Sequence, residues 1–78
     1  MSTHKYIVFR DDRGHLSFLI FPVTRQHKEF KRFNPLSAGF VRLEINDGNA
    51  YYECYGDSVS LDLKSSPILD SALLNALQ

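Results

Sequence analysis

From Phe40 to Leu63, apolar and polar residues follow one another at the period of a β-strand, and two tight turns fold that pattern back on itself. Asn46-Asp47-Gly48-Asn49 carries Asp-Gly at its centre, a favoured two-residue hairpin loop because both central residues take positive φ. Closing there sets Ile45 opposite Ala50, Leu43 opposite Tyr52 and Val41 opposite Cys54, all on one face. The other face receives Phe40 with Tyr55, Arg42 with Glu53 and Glu44 with Tyr51. A cation facing an anion across two strands contributes up to ~1 kcal/mol and supports this register. The second turn, Tyr55-Gly56-Asp57-Ser58, has glycine where a type II′ turn requires it. It sets Cys54 opposite Val59, Tyr52 opposite Leu61 and Ala50 opposite Leu63. A one-residue slip would mix the faces. The pattern thus predicts a three-stranded meander with Val41, Leu43, Ile45, Tyr52, Cys54, Val59 and Leu61 turned inward.

Upstream, Tyr6-Ile7-Val8-Phe9 and Leu16-Ser17-Phe18-Leu19-Ile20-Phe21 have the β-branched and aromatic content of strands. Asp11-Asp12-Arg13-Gly14 lies between them, and a four-residue loop there pairs Phe9 with Leu16 and Ile7 with Phe18. Pro22 ends the second strand. Thr24 then reads as the N-cap of a helix from Arg25 to about Phe33, with Val23, His27, Phe30 and Phe33 on one stripe. Asn34-Pro35 stops it. Ser37-Ala38-Gly39 reads as a place where backbones pack closely or bulge. At the other end, Ser66 and Pro67 open a second helix, whose apolar stripe is Leu69, Ala72, Leu73, Ala76 and Leu77, broadened by Ile68 and Leu74 beyond what one sheet face covers. The order ββαβββα predicts one α+β domain over residues 1–78, with helices on a five-stranded antiparallel sheet.

Composition narrows the class. At 78 residues and 44% hydrophobic, with six Phe and four Tyr, the chain can build a core without staples. Its single cysteine excludes an internal disulfide, and a reduced, cytoplasmic setting is expected. The first residues, Met1-Ser2-Thr3-His4-Lys5, do not resemble a signal peptide, and no apolar run approaches the ~20 residues of a membrane span. The net charge of zero hides a split. Residues 1–36 hold seven Lys and Arg against three acids, net +4, and residues 37–78 hold two against six, net −4. Such a split gives either a molecule with two oppositely charged sides or two halves that complement each other.

Candidate chemistry is sparse. Cys54 alternates into the inward face, where a thiol is a packing residue rather than a nucleophile. His4, His15 and His27 lack metal-ligand spacing, the acids Asp11, Asp12 and Asp57 sit in turns, and the glycines form no phosphate loop. Neither a metal nor a cofactor is expected, and the chain reads as a non-enzyme. Two surfaces remain. One is the second face of the meander, Phe40, Arg42, Tyr51, Glu53 and Tyr55, an aromatic and charged patch suited to protein binding or homodimerisation if no helix covers it. The other is the run from Arg25 to Phe33, where Arg25, Lys28, Lys31 and Arg32 interleave with aromatics as in nucleic-acid binders. Glu29 interrupts that run, and its simpler reading is a solvated helix face with Phe30 and Phe33 in the core.

Three stretches, Ser37-Ala38-Gly39-Phe40-Val41-Arg42, Cys54-Tyr55-Gly56-Asp57-Ser58-Val59-Ser60-Leu61 and the helix start from Ser65-Ser66-Pro67 to Leu74, resemble a group of short uncharacterised proteins carried by bacteriophages and prophages. The likeness covers about half the chain, and its motifs are structural ones. It implies the cytoplasm of a bacterial host cell, an accessory role in a mobile element and a host or phage protein as partner. The expectation is therefore a small protein-binding accessory module without membrane attachment, with nucleic-acid binding through the basic helix as the alternative.

Overall fold

The computed structural model describes residues 3–77. Among these residues the strands are β1 (Thr3–Arg10), β2 (Leu16–Pro22), β3 (Ser37–Asn46), β4 (Asn49–Tyr55), β5 (Asp57–Ser58) and β6 (Leu63–Lys64). A 3-10 helix, His27–Phe33, joins β2 to β3, and an α-helix, α1 (Pro67–Leu77), follows β6. The architecture is α+β, as the element pattern predicts. The sheet differs: four strands in the order β2-β1-β3-β4, all antiparallel, stand beside a separate two-stranded β5-β6 sheet.

The β3–β4 hairpin has the register expected from its turn, with Val41 opposite Cys54, Arg42 opposite Glu53 and Glu44 opposite Tyr51. Asp47 and Gly48 both take positive φ, 52° and 80°, as the two-residue loop demands. Of the residues expected to line its inner face, Val41 and Cys54 are buried, Leu43 and Tyr52 half-buried, and Ile45 and Ala50 exposed, because the hairpin tip runs beyond the helix that covers it.

The first hairpin is shifted by one residue: Ile7 faces Leu19, and Arg10 rather than Phe9 faces Leu16. The cause is its loop. The Asp11 amide donates to the His15 carbonyl (2.8 Å), so three residues, not four, make the bend, with Gly14 in the left-handed region. The Asp11 carboxylate accepts the amides of Arg13 and His15, each at 2.9 Å, and fixes the loop. A three-residue loop closed by a left-handed residue is a common hairpin connection, and it moves the partner by one position.

The third meander strand is not formed. The chain leaves β4 at Gly56 and folds over one face of the sheet as β5–β6, where Leu61 and Leu63 pack with Ile7 and Ala38, while Val59 is 90% exposed. A close approach anchors this flap. The Ser65 amide donates to the Gly56 carbonyl (3.1 Å), and a Cβ on Gly39 would stand 2.5 Å from the Tyr55 carbonyl oxygen and 3.1 Å from the Ser65 side chain. Glycine is the residue that fits there, which gives the small-residue run before Phe40 its reason.

Alternation along β1 divides the core in two. Tyr6 and Val8 point to one face, where Val41, Cys54 and Leu74 of α1 are buried with them. Ile7 points to the other, packing with Phe21 and Ala38 beneath Phe30 and Phe33 of the 3-10 helix. That helix begins two residues later than the sequence suggests. Gln26, not Thr24, is its N-cap, its amide bonded to the Glu29 carboxylate at 2.7 Å. Phe30, with φ −109° and ψ 17°, kinks it, and left-handed Asn34 ends it. Val23 lies outside the stripe and is 48% exposed.

Candidate interaction site

Helix α1 has the expected bounds but is rotated about its axis, so that of its expected stripe only Leu73 turns inward. Its expected stripe was Leu69, Ala72, Leu73, Ala76 and Leu77. The side turned inward carries Asp70 and Leu74, both buried, with Ser71, Leu73 and Asn75 half-buried. Leu69 is 73% exposed, Ile68 86% and Leu77 53%, and Ala72 and Ala76 also face water.

Polar bonding explains the rotation. The Asp70 carboxylate accepts from the Tyr6 hydroxyl (2.5 Å), the Ser37 hydroxyl (3.0 Å) and the Ser66 amide (3.0 Å), which ties the start of α1 to β1 and β3. One turn on, Asn75 accepts the Tyr52 amide at 2.7 Å and donates to the Tyr52 carbonyl at 3.0 Å. Ser71 accepts the Cys54 amide at 2.9 Å. These are backbone groups on the outer edge of β4, where the missing meander strand would have bonded. Two side chains at i and i+4 of one helix thus stand in for a strand. The geometry leaves Ile68, Leu69, Ala72 and Ala76 facing outward. Asp70 is the only charge in the helix, so its exposed side carries none. Along β4 a groove of about 420 Å³ opens beside this side, lined by Tyr51, Tyr52, Glu53, Ile68, Ser71 and Asn75.

The patch read from the sequence lies on the opposite sheet face and is partly assembled. Phe40 stacks on Tyr55 with ring centroids 5.9 Å apart and meets the His27 ring edge-on at 6.0 Å. The Arg42 guanidinium lies 5.1 Å from the Tyr55 ring centre, bonds Glu44 at 2.8 Å and pairs with Glu53. Those two carboxylates share one cation. Tyr51, 40% exposed, belongs to this face and also lines the α1 groove, so it joins the two surfaces.

The basic run is exposed, but its aromatics are not. Phe30 lies 4.3 Å from Phe21 and Phe33 4.9 Å from Phe9, centroid to centroid, within the second core cluster. The rings that would stack on bases are therefore packed against the sheet. Arg25 is held by Glu29 at 2.7 Å. Lys28, Lys31 and Arg32 face water, with Arg32 folded over the Phe33 ring at 5.0 Å. Among the described residues the ion pairs Arg25–Glu29, Arg42–Glu44 and Arg42–Glu53 each join residues of the same half of the chain.

Cys54 is 1% exposed, and burial pushes its thiol up to about 11. A thiol so held is a poor nucleophile. Burial, reinforced by the bond to Asp70, raises the Tyr6 phenol far above its ordinary value. His27 is buried with Nε2 2.8 Å from the Gly39 carbonyl, and loss of hydration holds its pKa below the usual value. Among the described residues no three His, Cys, Asp or Glu side chains gather where they could hold a metal ion, and no helix is long and apolar enough to cross a membrane.

The sequence shows more apolar surface on α1 than one sheet face covers, but its periodicity does not show which side stays outward. A signal was present: a helix of eleven residues with a single charge, whose polar residues Asp70, Ser71 and Asn75 share a side with Leu74. Comparison of the chain with family models, with curated proteins and with solved structures gave no match.

Proposed function

We propose that the protein is a small non-enzymatic binding module that engages a partner protein through the outward side of α1 and the adjoining Tyr51 edge of β4. One observation carries this reading: a helix whose polar side is spent on holding the sheet and whose solvent side is apolar and uncharged. Burying Ile68 and Leu69 against a partner would stabilise a complex by about 1.5–3 kcal/mol each. The rim sets the partner's chemistry. Arg42 balances one of the two carboxylates beside it, Glu44 and Glu53, so the rim keeps a surplus negative charge. The matching surface is an apolar ridge with a basic flank. The sequence likeness to phage and prophage proteins supports an accessory role in a bacterial cell, with a host or phage protein as partner.

The test uses three immobilised baits: the wild-type chain, an Ile68→Asp/Leu69→Asp variant and a Tyr51→Ala variant. Circular dichroism checks that all fold alike, and each is exposed to bacterial lysate. Proteins held by the wild type are expected to be lost from the helix variant and weakened on the tyrosine variant. A photo-crosslinking residue at position 72 should then attach to the same protein. If the helix variant keeps every protein that the wild type captures, the reading is wrong.

A further inference from the structure

The two edges of the sheet are treated differently. The outer edge of β4 is capped at Tyr52 and at the Cys54 amide by Asn75 and Ser71. Among the described residues no strand lies beside the outer edge of β2. Its unpaired groups follow from the hairpin. Asp11 and His15 form a hydrogen-bonded pair, and such pairs alternate along an antiparallel ladder. Ser17, Leu19 and Phe21 therefore bond to β1, and Leu16, Phe18 and Ile20 direct their amides and carbonyls outward. Pro22 continues the outward set. It has no amide to offer there, and its carbonyl already accepts the Arg25 amide at 3.0 Å.

We infer that β2 pairs with β2 of a second copy, antiparallel about a twofold axis at Phe18, joining two four-stranded sheets into one. An edge strand in a soluble protein is ordinarily guarded by charge, an internal proline, a bulge or a cover. The strand Leu16-Ser17-Phe18-Leu19-Ile20-Phe21 has no charged residue and no internal proline, and Phe18, Leu19 and Ile20 are only partly buried along it. A register centred on Phe18 sets Leu16 against Ile20 of the partner subunit and Phe18 against its own counterpart. All six outward amides, three from each copy, then find carbonyls. Shifting the register by two brings Pro22 into the ladder and loses bonds.

The outward groups of Leu16, Phe18 and Ile20 lie symmetrically about Phe18, so a second copy of the strand run in the opposite direction is its complement. Antiparallel pairing also carries Asp12 of one chain toward the segment after β2 of the other, where Lys28 stands, while Asp11 and Arg25 stay engaged within their own chains. Parallel pairing would bring like ends together. The two-fold arrangement repeats the favourable contact at both ends, as an isologous interface does. This surface is separate from the α1 face, so neither reading depends on the other.

Sedimentation equilibrium and amide hydrogen exchange, run on the wild-type chain from micromolar to millimolar, test the pairing. The mass is expected to rise from 9.0 kDa toward twice that value. Protection should grow with concentration at the amides of Leu16, Phe18 and Ile20. A Leu16→Pro variant removes one outward amide without touching the β1–β2 ladder and should weaken association at least tenfold. A monomer at every concentration overturns the inference. So does an association whose new protection falls on residues 67–77, or a folded Leu16→Pro variant that associates as the wild type does. Because the readout is self-association and not capture of a partner, loss of the α1 reading leaves it standing.

Discussion

Cys54, Tyr6 and Asp70 meet under α1, and each has a consequence for stability that can be measured. Burial raises the Cys54 thiol from its ordinary 9.0 to about 11. Between those values the unfolded chain loses the proton while the folded chain keeps it, so stability falls as pH rises through that window. Tyr6, raised for the same reason, adds in the same direction above pH 10. Urea midpoints recorded from pH 8 to pH 10.5 should decline, and Cys54→Ala should remove the part that begins near pH 9. A second prediction concerns Asp70. Replacing it by Ala leaves the Tyr6 and Ser37 hydroxyls without their acceptor and should cost about 1–3 kcal/mol for each group orphaned. Asp70→Asn, which keeps an acceptor, should cost less. The same urea titrations would expose a failure, namely equal stability for the Ala variant and the wild type. At this scale the sequence was legible for Cys54, whose inward position follows from strand alternation. It was not legible for Asp70, because a carboxylate in an apolar stripe reads as surface until its three donors are brought together from β1, β3 and the turn before α1.

Elements were read correctly where a turn alone determines them and incorrectly where a distant part of the chain decides. Asp47-Gly48 dictates one loop type, and the β3–β4 register followed from it. The Asp11–His15 bend admits two loop lengths, and the Asp11 carboxylate chooses the shorter. The fifth strand was lost because Ser71 and Asn75 occupy the edge it would have used, a competition between segments that pairing patterns do not show. Asn75→Ala should expose the Tyr52 amide and carbonyl, at about 1 kcal/mol per bond lost. Hydrogen exchange at Tyr52 should accelerate, while exchange at Arg42, inside the β3–β4 pair, changes little. The 3-10 helix has its own test. The neutral form of His27 is favoured in the fold, so the unfolded chain takes up the proton first as pH drops below about 6.5, and stability falls. A His27→Leu variant should show a flatter decline between pH 7 and pH 5 than the wild type.

Across the whole molecule, cover is uneven rather than absent. The 3-10 helix and the β5–β6 flap take one sheet face, and α1 takes the other. The hairpin tip at Ile45 and Ala50 and the outer side of α1 are left in water. The patch from Phe40 to Tyr55 was recognisable in the sequence because cross-strand pairing creates it. The α1 surface was not, since periodicity reports that a stripe exists and not which way it faces. Because Ile68 and Leu69 contribute little to the interior, Ile68→Asp/Leu69→Asp should shift folding stability by no more than about 0.5 kcal/mol, as exposed substitutions generally do. A larger loss in thermal or urea unfolding would mean that the helix face is part of the fold. The contrast between the two sheet margins reaches further. A polymer needs two reactive ends on every unit. With Ser71 and Asn75 acting as a built-in chain stopper at Tyr52 and Cys54 on one margin, pairing through β2 would leave each molecule a single valence, and growth would end at a pair instead of running on into a fibre.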